Sequence, residues 1–438
     1  MPSIQPRVLK GFRDFLPDVE MARATLIRKL EQVFSLFGFV PIDTPVLEYA
    51  DILLGKGGGE TDKQVYRFRD HGNRDVAMRY DLTVPFARFM AEHAEELYLP
   101  FRRYHIAKVW RGENTQRGRY REFMQCDFDI VGTDTASADA DILLTAASAM
   151  EALDVGDFFL RINHRALFNR FLVHIGAQDK ALEILRTVDK LEKIGLQATE
   201  QKLSSLVDPQ RANDILSFIQ TEESFEKTLD KMFRLCDHND DEAQAARSRL
   251  LDIMECVTAT SDERHIVLDP SIMRGLDYYT GMVVETSLAA LPEIGSVCSG
   301  GRYDDLASLY TEKKLPGVGA SIGLDRLMAA LEALGIQTGP TTSTQILLIN
   351  QPESSTARLH ALAASLRDAG FACEVFPEPK KVLIQYTYAE RKHIPLAIFA
   401  NFSLGSFTMR ILSQRENVEI SDFSRLCEIA REVLHASR

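Results

Sequence analysis

The spacing of apolar residues predicts helices and strands of ordinary length along the first part of the chain. Over 19–37 apolar residues recur every three to four positions, which is typical of an amphipathic helix that ends at Gly38. Shorter runs bounded by turn residues predict strands, and runs rich in Ala and Leu predict further helices. The strands are expected at 64–70, 76–83, 158–162 and 265–269, and the helices at 86–93 and 137–153.

Between about 165 and 264 the pattern becomes helical and more polar, which predicts a helical insertion within the first domain. The acidic run 237–242 is interpreted as a solvated linker between two helices. The glycine-containing stretch 298–306 is expected to form a turn. Small residues at 317–323 predict a strand that runs into a helix through Leu334.

A turn-rich linker at 336–344 separates this first domain, 1–335, from a second domain at 345–438. Strand and helix patterns alternate in the second domain, which favours a small α/β fold with a mainly parallel or mixed sheet. Its strands are expected at 345–350, 372–376, 395–400 and 407–413, and its helices at 355–370, 381–392 and 421–436. From residue 343 onward it carries 11 Lys and Arg against 10 Asp and Glu, a balance consistent with contact to a polyanion.

The stretch 101–132 predicts two strands joined by a basic loop. It holds seven Lys and Arg against four Asp and Glu, a local positive excess that suits phosphate in a chain of net charge −12. Alternation with period two places five residues on one face of the second strand: Arg121, Phe123, Gln125, Asp127 and Asp129. That face could line a cleft, or it could be the solvated face of a surface hairpin.

Composition narrows the class of protein. A length of 438 residues suits two or three domains. No apolar run is long enough to span a bilayer, and the first residues lack the apolar core of a signal peptide. The six cysteines lie far apart without a CxxC pair, so neither a disulfide framework nor a zinc site is expected. The loop 56–60 lacks the ending of a P-loop. We therefore expect a cytoplasmic protein without a protein-built metal site.

Arginines on three separate segments are the main candidate chemistry. They are Arg111 and Arg121 on the first segment, Arg274 on the second and Arg326 on the third. Together they suit a site that holds a triphosphate, because each guanidinium group can direct two hydrogen-bond donors towards oxyanions. Four further residues suit recognition of an amine and a polar ring: Asp81, Asp129, Tyr278 and Tyr279. Asp81 precedes a predicted helix, so it could equally be a helix cap.

These segments resemble the histidyl-tRNA synthetase family, which belongs to the class II aminoacyl-tRNA synthetases. Pro45 within IDTPVLE is similar to the first motif of the class, 101–132 to the second and 317–327 to the third. The specific signal is the peptide RGLDYYTG at 274–281 together with SGGRYDDL at 299–306, both characteristic of the histidine enzymes. The resemblance extends over nearly the whole chain.

The resemblance implies an α+β fold in which an antiparallel-sheet catalytic domain carries the insertion at 165–264 and precedes an anticodon-binding α/β domain. It also implies a histidine–tRNA ligase, which forms histidyl-adenylate from L-histidine and ATP and transfers histidine to tRNA(His). Mg²⁺ on the pyrophosphate oxygens, a homodimer built through the first motif and no membrane partner follow from the same resemblance. At 81–83 and in the loop 113–118 the sequence looks closer to a eukaryote-like branch than to many bacterial members.

The resemblance also implies roles in binding the amino acid. Asp81, Leu82 and Thr83 would hold the substrate α-amino group and line its pocket. Gln125 would contact the histidine backbone, and Asp129 would accept a hydrogen bond from the imidazole. Tyr278 and Tyr279 would shape the ring pocket.

Roles towards ATP and tRNA follow in the same way. Arg111, Arg121 and Arg326 would bind ATP, and Arg274 would lie against the α-phosphate, so Arg274 and Arg111 are the expected catalytic residues. Arg117 and Arg119 in the loop would reach the tRNA acceptor end.

Two other functions stay open on the pattern. One is a non-catalytic paralogue of the synthetase that regulates the first enzyme of histidine biosynthesis, and the other is a tRNA-binding module without catalysis. The first usually lacks the C-terminal domain and erodes the peptide at 274–281, whereas the second would lose the phosphate arginines. The chain keeps all of these features.

Overall fold

The structure, a computed structural model, describes residues 4–55, 64–260, 263–272, 279–336, 339 and 342–436. The chain divides into two compact units, Met1–Asp14 with Leu26–Gln337, and Phe15–Thr25 with Thr338–Arg438. The division after 337 falls inside the predicted linker. The grouping of 15–25 with the second unit is not indicated by the sequence pattern.

Helices in the first unit include a run of seven among the described residues that forms the expected insertion. The helices of the chain are α1 Pro17–Leu36, α2 Ala50–Leu54, α3 Thr83–His93, α4 Ala136–Ala152, α5 Arg165–His174, α6 Ala181–Val188, α7 Leu191–Ile194, α8 Leu196–Leu206, α9 Pro209–Phe218, α10 Phe225–Arg234, α11 Asp241–Thr258, α12 Leu324–Ala333, α13 Thr356–Asp368, α14 Val382–Arg391 and α15 Phe423–Ala436. The insertion spans α5 to α11. Within the described residues, no helix is both long and apolar enough to cross a membrane.

The acidic run at 237–242 begins as the expected exposed linker between α10 and α11, and its later residues start α11. Its Asp240 is the N-cap of α11 and accepts a hydrogen bond from the backbone N–H of Ala243 at 2.9 Å. The same carboxylate accepts a hydrogen bond from Nε of Arg170 at 2.6 Å. Because a capping carboxylate satisfies an otherwise unpaired helix N–H, the acidic residues here start a helix.

Strands form one large sheet, one small sheet and the sheet of the second unit. They are β1 Val40–Pro41, β2 Leu47–Tyr49, β3 Arg67–Arg69, β4 Asp75–Met78, β5 Phe101–Trp110, β6 Glu122–Val131, β7 Phe158–His164, β8 Ile266–Leu268, β9 Met282–Leu288, β10 Cys298–Tyr303, β11 Gly317–Gly323, β12 Ile346–Leu348, β13 Cys373–Val375, β14 Leu396–Asn401, β15 Ser406–Ile411 and β16 Glu416–Ile420. In the described residues the large sheet has the order β1-β5-β6-β11-β10-β9-β7-β8, with parallel pairing only at its two ends. The antiparallel catalytic-type sheet expected from the sequence is confirmed.

The stretch 298–306 was expected to be a turn, but its first six residues form β10 in the middle of the large sheet. A Cβ added to Gly300 would lie 2.2 Å from the carbonyl oxygen of Gly319 on β11. Glycine is therefore required here by the close approach of two strands and not by a turn conformation. Paired glycines in a sequence do not distinguish these two causes.

One face of the large sheet packs on helices and forms the main hydrophobic core. Phe128 on β6 meets Phe34 on α1, with ring centroids 5.0 Å apart. The Ala-rich helix α4 lies in the same core, and the insertion joins it through Phe171, which stacks on Phe218 at 4.4 Å. Burial of each such ring contributes about 2–3 kcal/mol. The opposite face of the sheet is left for polar residues.

The second unit contains a mixed sheet in the order β13-β12-β14-β15-β16. β12 pairs in parallel with β13 and β14, whereas β14, β15 and β16 are antiparallel neighbours. This confirms the predicted α/β fold with a mixed sheet. The last strand, β16, was not predicted, because its sequence ENVEI carries only two apolar residues and is largely exposed.

Candidate active site

Strand pairing collects polar residues on one face of the large sheet. Along β5 and β6, Arg103 lies opposite Asp129 and His105 lies opposite Asp127. On the other side of β6, Ser321 of β11 lies opposite Asp127. Directly opposed residues of antiparallel strands project from the same face. These side chains therefore share one polar surface, which is buried and is not the solvated hairpin face that the sequence left open.

Arg103, Asp129 and Tyr303 form the buried centre of this surface. A guanidinium nitrogen of Arg103 lies 2.7 Å from Oδ2 of Asp129, and the Tyr303 hydroxyl donates a hydrogen bond to Oδ1 at 2.5 Å. The Arg103 guanidinium also lies over the ring of Phe86, 4.1 Å from its centroid. Burial, together with the Asp129 charge, raises the pKa of Tyr303 well above its ordinary value. The hydroxyl is thus protonated and serves as the donor.

Two further carboxyls lie close to this centre, and burial shifts both towards the neutral form. Burial raises the pKa of Asp127 to about 7, and the charge of Arg103 opposes this shift. Burial raises the pKa of Asp81 to about 6, and Arg111 and Arg103 oppose it. Three carboxyl groups, those of Asp81, Asp127 and Asp129, surround one buried guanidinium, so a second positive charge bound here would be stabilised. The region suits an ammonium group better than an anion.

Asp81 combines a structural contact with an unused oxygen. Its Oδ1 accepts a hydrogen bond from the backbone N–H of Val84 at 3.1 Å, so it caps the first turn of α3. Its Oδ2 is buried without a hydrogen-bond partner in the described structure. Leu82, the next residue, is fully buried, and Thr83 is half-buried as the first residue of α3. The cap and the ligand interpretations of Asp81 are therefore compatible.

His105 is a neutral neighbour of the same surface. Burial lowers the pKa of His105 to about 3, with the charge of Arg103 adding to the shift. Its Nε2 lies 3.0 Å from the Asp43 carboxylate. At neutral pH the ring adds no charge to the buried acids.

Two glycines control the space above the polar surface. A Cβ added to Gly319 would lie 2.0 Å from the carboxylate of Asp129. A Cβ added to Gly301 would lie 2.9 Å from the ring of Tyr279. Both positions require glycine because the Asp129 carboxylate and the Tyr279 ring occupy the volume of the missing side chains. Tyr279 thereby lies at the edge of the Asp129 site.

An open cleft adjoins the buried residues and is lined by two of the three arginines predicted to bind ATP, Arg111 and Arg326. Arg111 is held by a hydrogen bond from its Nε to the carbonyl oxygen of Tyr80 at 2.8 Å, and Arg326 by one to Ser296 at 2.7 Å. Gln125 donates to the Ser321 hydroxyl at 2.8 Å. The cleft is lined by Arg111, Glu113, Gly118, Arg119, Tyr120, Phe123, Gln125, Ser296, Val297, Ser299, Ser321, Gly323, Asp325 and Arg326.

The loop between β5 and β6 separates its arginines. Arg117 is exposed, and Arg119 is exposed with a nitrogen 3.7 Å from the Glu113 carboxylate. Arg121 was expected to face ATP beside Gln125, but its side chain packs against Gly11 and its Nε donates to the carbonyl oxygen of Glu113 at 3.1 Å. β6 begins one residue later, at Glu122, while the Arg111 N–H still donates to the carbonyl oxygen of Arg121 at 2.9 Å.

Two of the predicted site residues cannot be placed, and two residues at the centre of the site were not predicted. Arg274 and Tyr278 lie outside the described residues. Arg103 and Tyr303 were not predicted as site residues, although pairing of β5 with β6 in antiparallel register would have placed Arg103 against Asp129. Asp127 was assigned to the correct face without a role.

No group of three or more His, Cys, Asp or Glu side chains in the described residues could hold a metal ion. Glu113 is a carboxylate of the cleft, but it lies 4.0 Å from Arg111 and 3.7 Å from Arg119.

Comparison with known proteins identifies relatives over nearly the full length. A model of the family described as histidyl-tRNA synthetase matches residues 11–327. The chain is 49% identical over 431 residues to a histidine–tRNA ligase of Treponema denticola, covering 97% of this chain and 95% of that protein. It is 44% identical to that of Rhodopirellula baltica, covering 95% and 96%. These relatives are bacterial, so the expected place in a eukaryote-like branch is not supported.

Solved structures give the same result for the fold. Histidyl-tRNA synthetase from Nostoc sp. PCC 7120 superimposes with a TM-score of 0.89 at 29% identity, covering 98% of this chain and 100% of that chain. A Bacillus halodurans protein described as an ATP phosphoribosyltransferase regulatory subunit/histidyl-tRNA synthetase gives 0.74 at 21% identity, covering 88% and 97%. At that identity the likeness concerns the fold alone.

Proposed function

The chain belongs to the histidyl-tRNA synthetase family, and we propose that it is a histidine–tRNA ligase that uses the cleft and the buried polar surface as one active site. Histidine–tRNA ligases at 44–49% identity align with 95–97% of its length. The observation that carries the proposal is the contact between the two halves of the site: Ser321 bonds Gln125 in the cleft and faces Asp127 on the buried surface. A nucleotide and an amino acid bound there would lie side by side.

Adenylate formation needs positioned cations more than acid–base groups. The histidine carboxylate oxygen attacks the α-phosphorus of ATP, a P–O bond to pyrophosphate breaks, and the electron pair leaves with pyrophosphate. A carboxylate is already a nucleophile, so no general base is required. Arg111 and Arg326 would stabilise charge on the phosphates, with Arg274 against the α-phosphate. Mg²⁺ would travel with ATP on its pyrophosphate oxygens.

Histidine recognition would rest on the buried surface. The free Oδ2 of Asp81, with Thr83, suits the α-ammonium group, and Gln125 suits the substrate backbone. Asp129 would accept a hydrogen bond from a ring N–H, while Arg103 and Tyr303 fix its charge and orientation. A site built around such a bond rejects analogues that lack it by about 10⁴-fold or more. Tyr278 and Tyr279 would complete the ring pocket.

Transfer to tRNA(His) would take place at the exposed side of the cleft. The ribose hydroxyl at the tRNA end attacks the carbonyl of histidyl-adenylate, and AMP leaves. Arg117 and Arg119 are exposed in the loop beside the cleft and suit the acceptor end. We assign 1–335 to catalysis, with the insertion at 165–264, and 345–438 to anticodon binding. The near-neutral charge of the C-terminal part supports the last assignment.

A homodimer would cover the apolar surface near β1 and β2. Four exposed apolar side chains lie on or directly before these strands: Val40, Val46, Leu47 and Tyr49. β1 is also an edge strand in the described sheet, next to Pro45 of the motif that builds the dimer in this class. Such a patch is typical of a protein interface.

Cytoplasmic location is proposed from the thiols. The six cysteines are free, and five of them are buried. Unpaired buried thiols are typical of a reducing compartment.

Histidine-dependent exchange of labelled pyrophosphate into ATP tests the enzyme. Exchange should require L-histidine and fall by several orders of magnitude in Arg274→Ala with folding retained. Asp129→Ala should chiefly raise the KM for histidine. Folded wild-type protein that shows no exchange would refute the adenylate-forming activity, and an unchanged histidine KM in Asp129→Ala would remove its assigned role.

A further inference from the structure

A buried ionic network outside the substrate site connects the helical insertion to residues 279–281, the last three residues of the peptide 274–281 that carries Arg274. Its hub is Arg302 on β10, whose Nε donates to Oδ1 of Asp139 at 2.9 Å. A second guanidinium nitrogen donates to the carbonyl oxygen of Thr133 at 3.2 Å and to Asp304 at 3.1 Å. Arg302 and Asp139 are both fully buried. A buried pair with this many bonds fixes the side chains in one geometry.

The network reaches 279–281 through the strand that carries Arg302. The backbone N–H of Thr280 donates to the carbonyl oxygen of Arg302 at 2.8 Å, and its hydroxyl donates to Asp304 at 2.6 Å. A Cβ added to Gly281 would lie 3.0 Å from the Arg302 side chain. Thr280 and Gly281 are thus held against the hub by two hydrogen bonds and one close packing contact.

The insertion contacts the network at both of its ends. At the start of α5, the Arg165 N–H donates to the carbonyl oxygen of Gly281 at 3.0 Å, and its guanidinium donates to that of Tyr279 at 2.9 Å. On α11, Nε of Arg249 lies 3.5 Å from Oδ2 of Asp139, and Arg249 also pairs with Asp134. The first helix of the insertion therefore contacts 279–281 directly, and the last helix contacts Asp139, the partner of Arg302.

His164 lies beside the network and is uncharged at neutral pH. Burial lowers the pKa of His164 to about 4, with Arg249 and Arg302 adding to the shift. The neutral ring leaves Arg249 and Arg302 paired with Asp134, Asp139 and Asp304. Burial raises the pKa of Asp139, and the guanidinium groups of Arg302 and Arg249 oppose that shift.

We propose that Arg249, Asp139 and Arg302 form an ionic relay that makes the placement of 279–281, the described end of the peptide 274–281, depend on the helical insertion. Arg249 and Arg302 are positioning residues in this proposal. Only the tests that measure enzyme activity rest on the proposed function. A shift of a reacting group by about 1 Å can cost about 100-fold in rate. Loosening the relay should therefore lower kcat while leaving substrate affinity nearly intact.

Arg249→Met is the test variant, because Arg249 is 20% exposed and can be replaced without opening the core. Arg247→Met is the matched control, since Arg247 lies on the same helix, pairs with exposed Asp230 at 2.9 Å and lies over the ring of Phe233 at 5.3 Å, away from Asp139. Pyrophosphate exchange should fall about tenfold in kcat for Arg249→Met, with the KM for ATP and for histidine within about twofold. Arg249→Lys, which keeps the charge on Asp139, should recover to within about threefold, and Arg247→Met should match wild type.

Amide hydrogen exchange at Thr280 gives a readout that needs no activity. It should quicken about tenfold in Arg249→Met and not in Arg247→Met, with the thermal midpoints of both variants close together. Unchanged exchange at Thr280, or a loss of kcat equal in the two variants, would overturn the relay. Wild-type protein without pyrophosphate exchange would overturn the proposed function, while the Thr280 measurement would still decide on the relay.

Discussion

Replacing Arg103 by Met removes the only described positive partner that directly contacts Asp129 and keeps the volume of an unbranched side chain. The pair is fully buried with a nitrogen–oxygen distance of 2.7 Å. Two unit charges about 4 Å apart at an effective dielectric of about 20 attract by about 4 kcal/mol. Breaking a buried pair by removing one partner costs about 3–5 kcal/mol for the same reason. We expect Arg103→Met to lose about that much free energy of unfolding.

The loss should depend on pH. Arg103 also lowers the pKa of Asp127 and of Asp81 against the effect of burial. Without it these carboxyls become harder to ionise, so the variant suffers most where they must be charged. The destabilisation should be larger at pH 8 than at pH 5.

A double-mutant cycle with Asp129→Asn separates the ion pair from other effects of the substitution. In Arg103→Met/Asp129→Asn no uncompensated charge remains on this pair, so about 2 kcal/mol should be recovered relative to the sum of the single variants. Urea unfolding of the four proteins, followed at pH 5 and pH 8, measures this coupling. Additive single effects, or a loss that does not change with pH, would refute the assignment of Arg103 as the counter-ion.

Three other outcomes follow from the same surface. The pKa of Asp127 is about 7 in the folded protein against an ordinary value of 3.8, so its protonated form stabilises the fold below about pH 4 and this contribution is lost as pH rises through 7. Between pH 4 and pH 8 the wild type should therefore lose about 4 kcal/mol of unfolding free energy relative to Asp127→Asn. A difference in urea unfolding that does not change with pH would contradict this expectation. Gly319→Ala should lower the thermal midpoint and impair histidine binding, because its Cβ would lie 2.0 Å from Asp129. Gly323→Ala should be tolerated, because the nearest neighbours of its Cβ would lie at 3.9 Å. Equal effects of the two substitutions would count against the steric argument. Arg326→Ala should reduce kcat/KM for ATP by about 100-fold in pyrophosphate exchange, and a normal value would remove Arg326 from the nucleotide site.

The sequence predicted the local features of the site well and its burial poorly. Alternation along 122–131 assigns Gln125, Asp127 and Asp129 to one face, as the structure has them. It does not tell whether that face meets water, because the partners that bury it come from strands up to about two hundred residues away. Arg103 illustrates this limit: one arginine in a strand is usually exposed, and only the register of β5 with β6 brings Asp129 opposite it.

The fold was predictable where the pattern is long and periodic. The helical insertion, the β-hairpin and the α/β character of the second unit all follow from apolar spacing. The pattern was misleading or incomplete where one residue type serves two purposes: Gly300 allows two strands to approach closely instead of making a turn, and Asp240 at the end of an exposed linker also caps a helix. Such residues are resolved by tertiary contacts that no local window contains.

Charging of tRNA(His) with labelled L-histidine decides whether the chain is a histidine–tRNA ligase. We expect saturable formation of histidyl-tRNA that requires ATP, releases AMP and pyrophosphate, and stops when the 3′ ribose of the tRNA has been oxidised. Folded protein that binds ATP and histidine yet forms no histidyl-tRNA would contradict it.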